Sequence, residues 1–169
     1  MIIDLASLGA SPKQIEVSFA PAQIDLDSGT QLQSNVALTA EISRVGGKTH
    51  IRATIKADAT IDCSRCLEPV RKDFDLAFQD VFVDAAEESS RDGIEIDAAE
   101  LDESLLVGSE IDLADVVREQ MLLALPEQIF CKEDCRGLCP ICGENRNLID
   151  CSCEENEIDP RWAALKNLN

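Results

Sequence analysis

The sequence predicts an α+β protein: an antiparallel β-sheet or partly closed barrel with one packed helix, followed by a cysteine-rich C-terminal segment. Three observations predict it. Two long runs alternate apolar and polar residues on either side of Gly46-Gly47. The stretch from Asp112 to Pro126 carries a helix start, a helical period and a stop. Beyond Pro126 no period holds, and six of the eight cysteines lie there.

A short strand is expected around Gln14–Phe19. Val36, Leu38, Ala40 and Ile42 then alternate with polar neighbours, which is the period of a half-buried strand. After the glycine pair the same alternation runs from Thr49 through Ile51, Ile55 and Ala59 to Ile61. Such runs flanking Gly-Gly predict a β-hairpin, because glycine supplies the positive φ of a tight turn. A third strand is expected near Val70–Val83, with Phe74, Leu76, Phe78 and Phe82 on one parity. Cys63-Ser-Arg-Cys66-Leu-Glu-Pro69 therefore falls in the connection between two strands. Residues 84–104 read as a long acidic loop. Asp112 is suited to cap a helix reaching about Leu125, with Pro126 as its stop. Leu113, Val117, Met121 and Ala124 share the face that would pack on the sheet. Asp159-Pro160-Arg161-Trp162 reads as a second helix start, with Trp162 as an anchor.

The expected division is therefore 1–126, the sheet and helix core with the Cys63/Cys66 knuckle and acidic loop, and 127–169, the cysteine-rich segment ending in a short helix. The net charge of −18 is unevenly spread. Residues 76–125 hold only Arg91 and Arg118 against fourteen acids, whereas residues 1–75 hold eight basic and ten acidic side chains. So acidic a chain does not coat nucleic acid through its overall field, since phosphate neutralisation needs Lys and Arg. It suits a basic partner.

The cysteines carry the chemistry. They are spaced Cys63-x2-Cys66, then Cys131-x3-Cys135-x3-Cys139-x2-Cys142-x8-Cys151-x-Cys153. Thiolates are preferred ligands of Zn²⁺, and four fill a tetrahedral site, so eight suffice for one or two structural zinc sites. A Cys-x-x-Cys pair puts two sulfurs on one tight turn, and Gly143 after Cys139-Pro-Ile-Cys142 relaxes that turn. Cys63-Ser-Arg-Cys66 is a second knuckle without the glycine. The economical partition joins Cys63 and Cys66 to Cys131 and Cys135, leaving Cys139, Cys142, Cys151 and Cys153 for the second site. Interleaved sets, such as Cys63 and Cys66 with Cys139 and Cys142, also satisfy the count. So do an iron–sulfur cluster, disulfides and free redox thiols. The start of the chain lacks a basic, apolar secretory signal and no stretch reaches membrane-span length. These features lead us to expect a cytoplasmic chain with reduced thiols and no membrane association, which favours metal.

Catalysis is not expected. Catalytic zinc recruits histidine or carboxylate and keeps an open position. His50 is the sole histidine and lies on the polar face of a strand. No small-molecule substrate is evident. Arg65, Arg136 and Arg146 lie among the cysteines, where they could offset thiolate charge or meet a partner.

Several features, in order, resemble the YceD-like family of large ribosomal RNA subunit accumulation proteins. They are Cys63-Ser-Arg-Cys66-Leu-Glu-Pro69, Glu110-Ile-Asp-Leu113, Val117-Arg-Glu-Gln-Met-Leu-Leu-Ala-Leu-Pro126, Cys135-Arg-Gly-Leu-Cys139-Pro-Ile-Cys142-Gly143, Cys151-Ser-Cys153 and Asp159-Pro-Arg-Trp162. In one place the chain departs from the family form: Arg146 stands where that form has leucine. The resemblance implies a bacterial or organellar factor supporting large-subunit rRNA accumulation, hence ribosome assembly, and the lack of a catalytic constellation in the residues makes it a non-enzymatic one in our expectation. Its partner would be the large-subunit precursor, met through a basic ribosomal protein or a local rRNA contact. The competing readings are a thiol-based redox protein and a zinc-held chaperone for basic proteins.

Overall fold

The computed structural model describes residues 1–26, 29–85, 103–153 and 161. They form two compact units, Met1–Ile61 with Val70–Glu127, and Asp62–Pro69 with Gln128–Asn169.

The larger unit is built on a sheet of six strands among the described residues, in the order β2-β4-β5-β6-β7, with β3 on the end of β5. The strands are β2 (Lys13–Phe19), β3 (Thr30–Leu32), β4 (Val36–Val45), β5 (Lys48–Asp62), β6 (Pro69–Asp84) and β7 (Glu103–Leu106). The expected hairpin is present: Val45 pairs with Lys48 across Gly46 (φ 60°) and Gly47 (φ 84°). Positive φ at both central residues is the type I′ turn, whose twist matches that of the flanking strands. From there the register runs to Ala37↔Lys56, and β3 pairs further along β5, from Thr30↔Ile61 to Leu32↔Ala59. Alternation becomes burial: Val36, Leu38, Ala40 and Ile42 of β4 face the core with Ile51, Ala53, Ile55, Ala57 and Ala59 of β5. Strand β2 pairs antiparallel with β4, so that Ile15 and Phe19 join them.

Two expectations are corrected. The sheet is not wholly antiparallel, because β6 and β7 run parallel from Val81↔Glu103 to Asp84↔Leu106. A parallel neighbour needs a crossover rather than a tight turn, and the chain between these strands is long enough to supply one. Nor does a barrel close among the described residues: the strand path is open, ending at β2 and β7. The expected acidic loop at 84–104 lies outside the described residues except at its ends, where Asp84 closes β6 and Glu103 opens β7. A separate pair, β1 (Ile2–Asp4) with β8 (Glu110–Asp112), leads into helix α1 (Leu113–Ala124).

Helix α1 starts as expected. The Asp112 carboxylate accepts the Ala114 N–H at 3.0 Å and also the N-terminal ammonium of Met1 at 3.0 Å. Both contacts favour the ionised form and hold the Asp112 carboxyl below the usual value, the Ala114 bond most strongly. Leu113, Val116, Val117 and Met121 are buried, with Ala124 packed at the edge of the core. Val116 joins the expected face because i and i+4 spacing brackets a stripe wider than one row.

The smaller unit has no strand ladder among the described residues, only turns and the isolated bridge Leu138↔Asn145. Hydrogen bonds tie its turns together, and all eight cysteines lie in it. Of the expected terminal helix, only Arg161 lies within the described residues.

Candidate metal centre

Two knuckles of the smaller unit follow one hydrogen-bond plan. In the first, Cys63 N–H donates to Glu68 O (2.9 Å) and Leu67 N–H donates to Cys63 O (3.0 Å). In the second, Cys139 N–H donates to Glu144 O (2.8 Å) and Gly143 N–H donates to Cys139 O (2.9 Å). The residue after the second cysteine has positive φ in both, 77° at Gly143 and 61° at Leu67. The knuckle without a glycine therefore forms the same turn by placing a leucine in the left-handed region, at a cost of about 1–2 kcal/mol.

The eight cysteines gather as Cys63, Cys66, Cys131 and Cys135, and as Cys139, Cys142, Cys151 and Cys153. Within each group the sulfurs lie within 4.8 Å of one another. This is the economical partition; the interleaved set of Cys63 and Cys66 with Cys139 and Cys142 is not the one assembled. In the first group, Cys63 Sγ stands 3.8 Å from Cys135 Sγ, and Cys66 Sγ stands 3.6 Å from Cys131 Sγ. Four sulfurs about 2.3 Å from one ion stand about 3.8 Å apart along a tetrahedron's edge. A disulfide needs about 2.0 Å. The donor set and the spacing both fit a single tetrahedral ion in each group. Sulfurs bound to different irons of a cluster would stand wider.

Electrostatics points the same way. Burial pushes Cys63 up, but the N–H groups of Arg65, Cys131 and Cys66 outweigh it and hold the thiol at about 6. Cys131 is pushed up to about 12 by loss of solvent around its sulfur and by the sulfurs of Cys66, Cys135 and Cys63. In the second group the N–H groups of Cys142 and Ile141 hold Cys139 at about 6 despite burial. The Cys142 sulfur, then burial, drives Cys153 to about 12. Four adjacent sulfurs cannot all ionise without a counter-charge, and a divalent cation supplies one.

Around these sulfurs the chain is closely tied. Ser64 N–H donates to Ile129 O (2.8 Å) and Leu138 N–H donates to Arg65 O (2.9 Å). Gly137 (φ 72°) is buried there, and a Cβ on it would stand 3.0 Å from Arg65 O. Each arginine singled out in the sequence is built into this unit. The Arg65 guanidinium donates to Cys135 O (3.0 Å) and lies 4.2 Å from the centroid of the Phe130 ring. Arg136 pairs with Asp150 (2.7 Å). Arg146 donates its backbone N–H to Gly137 O (2.9 Å), and its side chain is half-buried. Asn147, which spacing rules did not single out, donates from Nδ2 to Cys135 Sγ (3.3 Å). Asn145 Oδ1 in turn accepts from Asn147. The available signal was the run Gly143-Glu-Asn145-Arg-Asn147, whose asparagines carry donors and acceptors without charge.

An open sheet with one α-helix among the described residues, and a small unit whose eight cysteines gather in two groups that could each hold a metal ion, define an α+β protein. Residues 51–169 match the family described as "Large ribosomal RNA subunit accumulation protein YceD", and the chain belongs to that family. It is 31% identical over 180 residues to uncharacterized protein Rv2926c of Mycobacterium tuberculosis, covering 98% of this chain and 79% of that one. With uncharacterized protein YlbN of Bacillus subtilis the identity is 30% over 153 residues, covering 86% and 84%. A maize protein named large ribosomal RNA subunit accumulation protein YCED homolog 1, chloroplastic, is 22% identical over 178 residues, covering 92% of this chain and 60% of its own. No solved structure matches significantly. Among the described residues no helix is long and apolar enough to cross a membrane.

Proposed function

We propose that this chain is a non-enzymatic factor supporting large-subunit rRNA accumulation during ribosome assembly, its smaller unit held by two structural zinc ions. The observation that carries the structural part is the pair of four-cysteine groups, the sulfurs of each lying within 4.8 Å of one another. Four sulfurs fill a tetrahedral ion and leave no position for water, so the metal would supply folding energy rather than a nucleophile. Family membership and the maize relative's name support the rRNA part.

With a net charge of −18, the chain is suited to a basic ribosomal protein or a local contact, not to coating RNA. The compartment would be the one where the large subunit matures, the cytoplasm in a bacterium. The test is affinity isolation of the tagged chain under gentle lysis. Enrichment of large-subunit precursors, and fewer mature large subunits on depletion, is the expected result. Recovery without precursor rRNA, or with unrelated basic proteins alone, would favour a chaperone for basic proteins instead.

A further inference from the structure

By sequence, Asn147 belongs to the second cysteine group, in the loop between Cys142 and Cys151. By position, its side chain serves the first. Oδ1 accepts the Arg136 N–H at 2.9 Å while Nδ2 donates to Cys135 Sγ at 3.3 Å and to Asn145 Oδ1 at 2.8 Å. A backbone N–H can be accepted only by the amide oxygen, so the nitrogen must face the sulfur. The loop that carries Asn147 is docked by Arg146 N–H on Gly137 O (2.9 Å) and by the Leu138↔Asn145 bridge. Its start is placed by the second knuckle, through Cys139 N–H on Glu144 O (2.8 Å).

We infer that Asn147 is a positioning residue for the first metal site that the second site delivers, so that filling the second site tightens metal in the first. This rests on the metal-held reading above. An amide N–H aimed at a thiolate disperses its charge and fixes its direction, and loss of such an outer partner lowers metal affinity about 10–100-fold. Without metal at Cys139, Cys142, Cys151 and Cys153, the 143–147 loop keeps its hydrogen bonds to Glu68, Arg136 and Gly137 but loses the fixed knuckle from which it starts. By linkage the coupling is reciprocal: metal in the first group tightens the second by the same factor.

The test is a double-mutant cycle on the full chain, with first-site affinity read by zinc competition against a chromophoric chelator and by the sulfur-to-cobalt charge-transfer band. Asn147→Ala should weaken the first site about 10–100-fold. Cys151→Ser/Cys153→Ser, which empties the second site, should weaken it similarly, and the combined variant should lose no more than the larger single loss. Asn147→Asp keeps the bond from Arg136 but sets a carboxylate against sulfur, so it should shift the cobalt band and weaken the site at least as much as Asn147→Ala. Unchanged first-site affinity in Asn147→Ala, or losses that multiply in the combined variant, would overturn the coupling while leaving two metals per chain intact. A wild-type chain that takes up no zinc or cobalt would instead remove the metal reading itself. Native amide spectra of residues 1–61 in each variant exclude global unfolding as the cause.

Discussion

At the scale of single residues, the two knuckles show how one backbone plan is met by different side chains. Gly143 and Leu67 hold equivalent positive-φ positions, and Leu67 is 61% exposed, so little packing offsets its strain. Leu67→Gly should therefore stabilise the smaller unit by up to about 1 kcal/mol, the left-handed penalty less glycine's extra chain entropy. Slower hydrogen exchange at the amide of residue 67 checks it; faster exchange would show that the leucine side chain, not the backbone, sets the balance. Gly137 differs in kind. It combines φ 72° with a 3.0 Å approach to Arg65 O, so Gly137→Ala meets both strain and a backbone clash. A loss of about 2–4 kcal/mol is expected. Gly143, with nothing within 4 Å, should lose only about 1 kcal/mol on the same change. Thermal unfolding of metal-loaded protein ranks the pair, and an equal loss at both would contradict the close-approach argument.

Among elements, helix α1 gives the clearest pH prediction. Asp112 is held below its usual value by the Ala114 N–H and the N-terminal ammonium. A carboxyl depressed in the folded state adds stability above its unfolded pKa and loses it as pH falls through the folded one. Asp112→Ala should therefore cost about 1 kcal/mol at neutral pH. Denaturant titrations should show that cost shrinking as pH drops below about 4, and a pH-independent loss would deny the carboxylate its role. This helix and the β4–β5 hairpin were legible in the sequence because cap, period and turn agree over ten or more residues. The β1–β8 pair was not, since strands of three residues carry no readable period. The parallel pairing of β7 was hidden for another reason: direction depends on the path of the connection, not on the strand's own residues. At the candidate metal site the cysteines were legible by spacing. Asn147 was not, because a polar residue in an aperiodic run reads as loop until its partner's position is known.

For the whole molecule, metal would organise the smaller unit, whereas apolar burial organises the larger. Acid should separate the two. Protons compete for the sulfurs, and Cys131 and Cys153, pushed up to about 12, take them back most readily. Zinc should be retained at pH 7 and released on acidification, with Cys139→Ser raising the pH of release. A metal-sensitive dye reads the release. Release that ignores pH would contradict thiolate coordination. The most direct measurement is native mass spectrometry of the chain purified without added metal or reductant, together with a count of reactive thiols. Two zinc ions per chain are expected, one for each four-cysteine group, with no thiol reactive until a chelator is added. A metal-free chain with eight free thiols, or one whose cysteines cycle through disulfides, would contradict it.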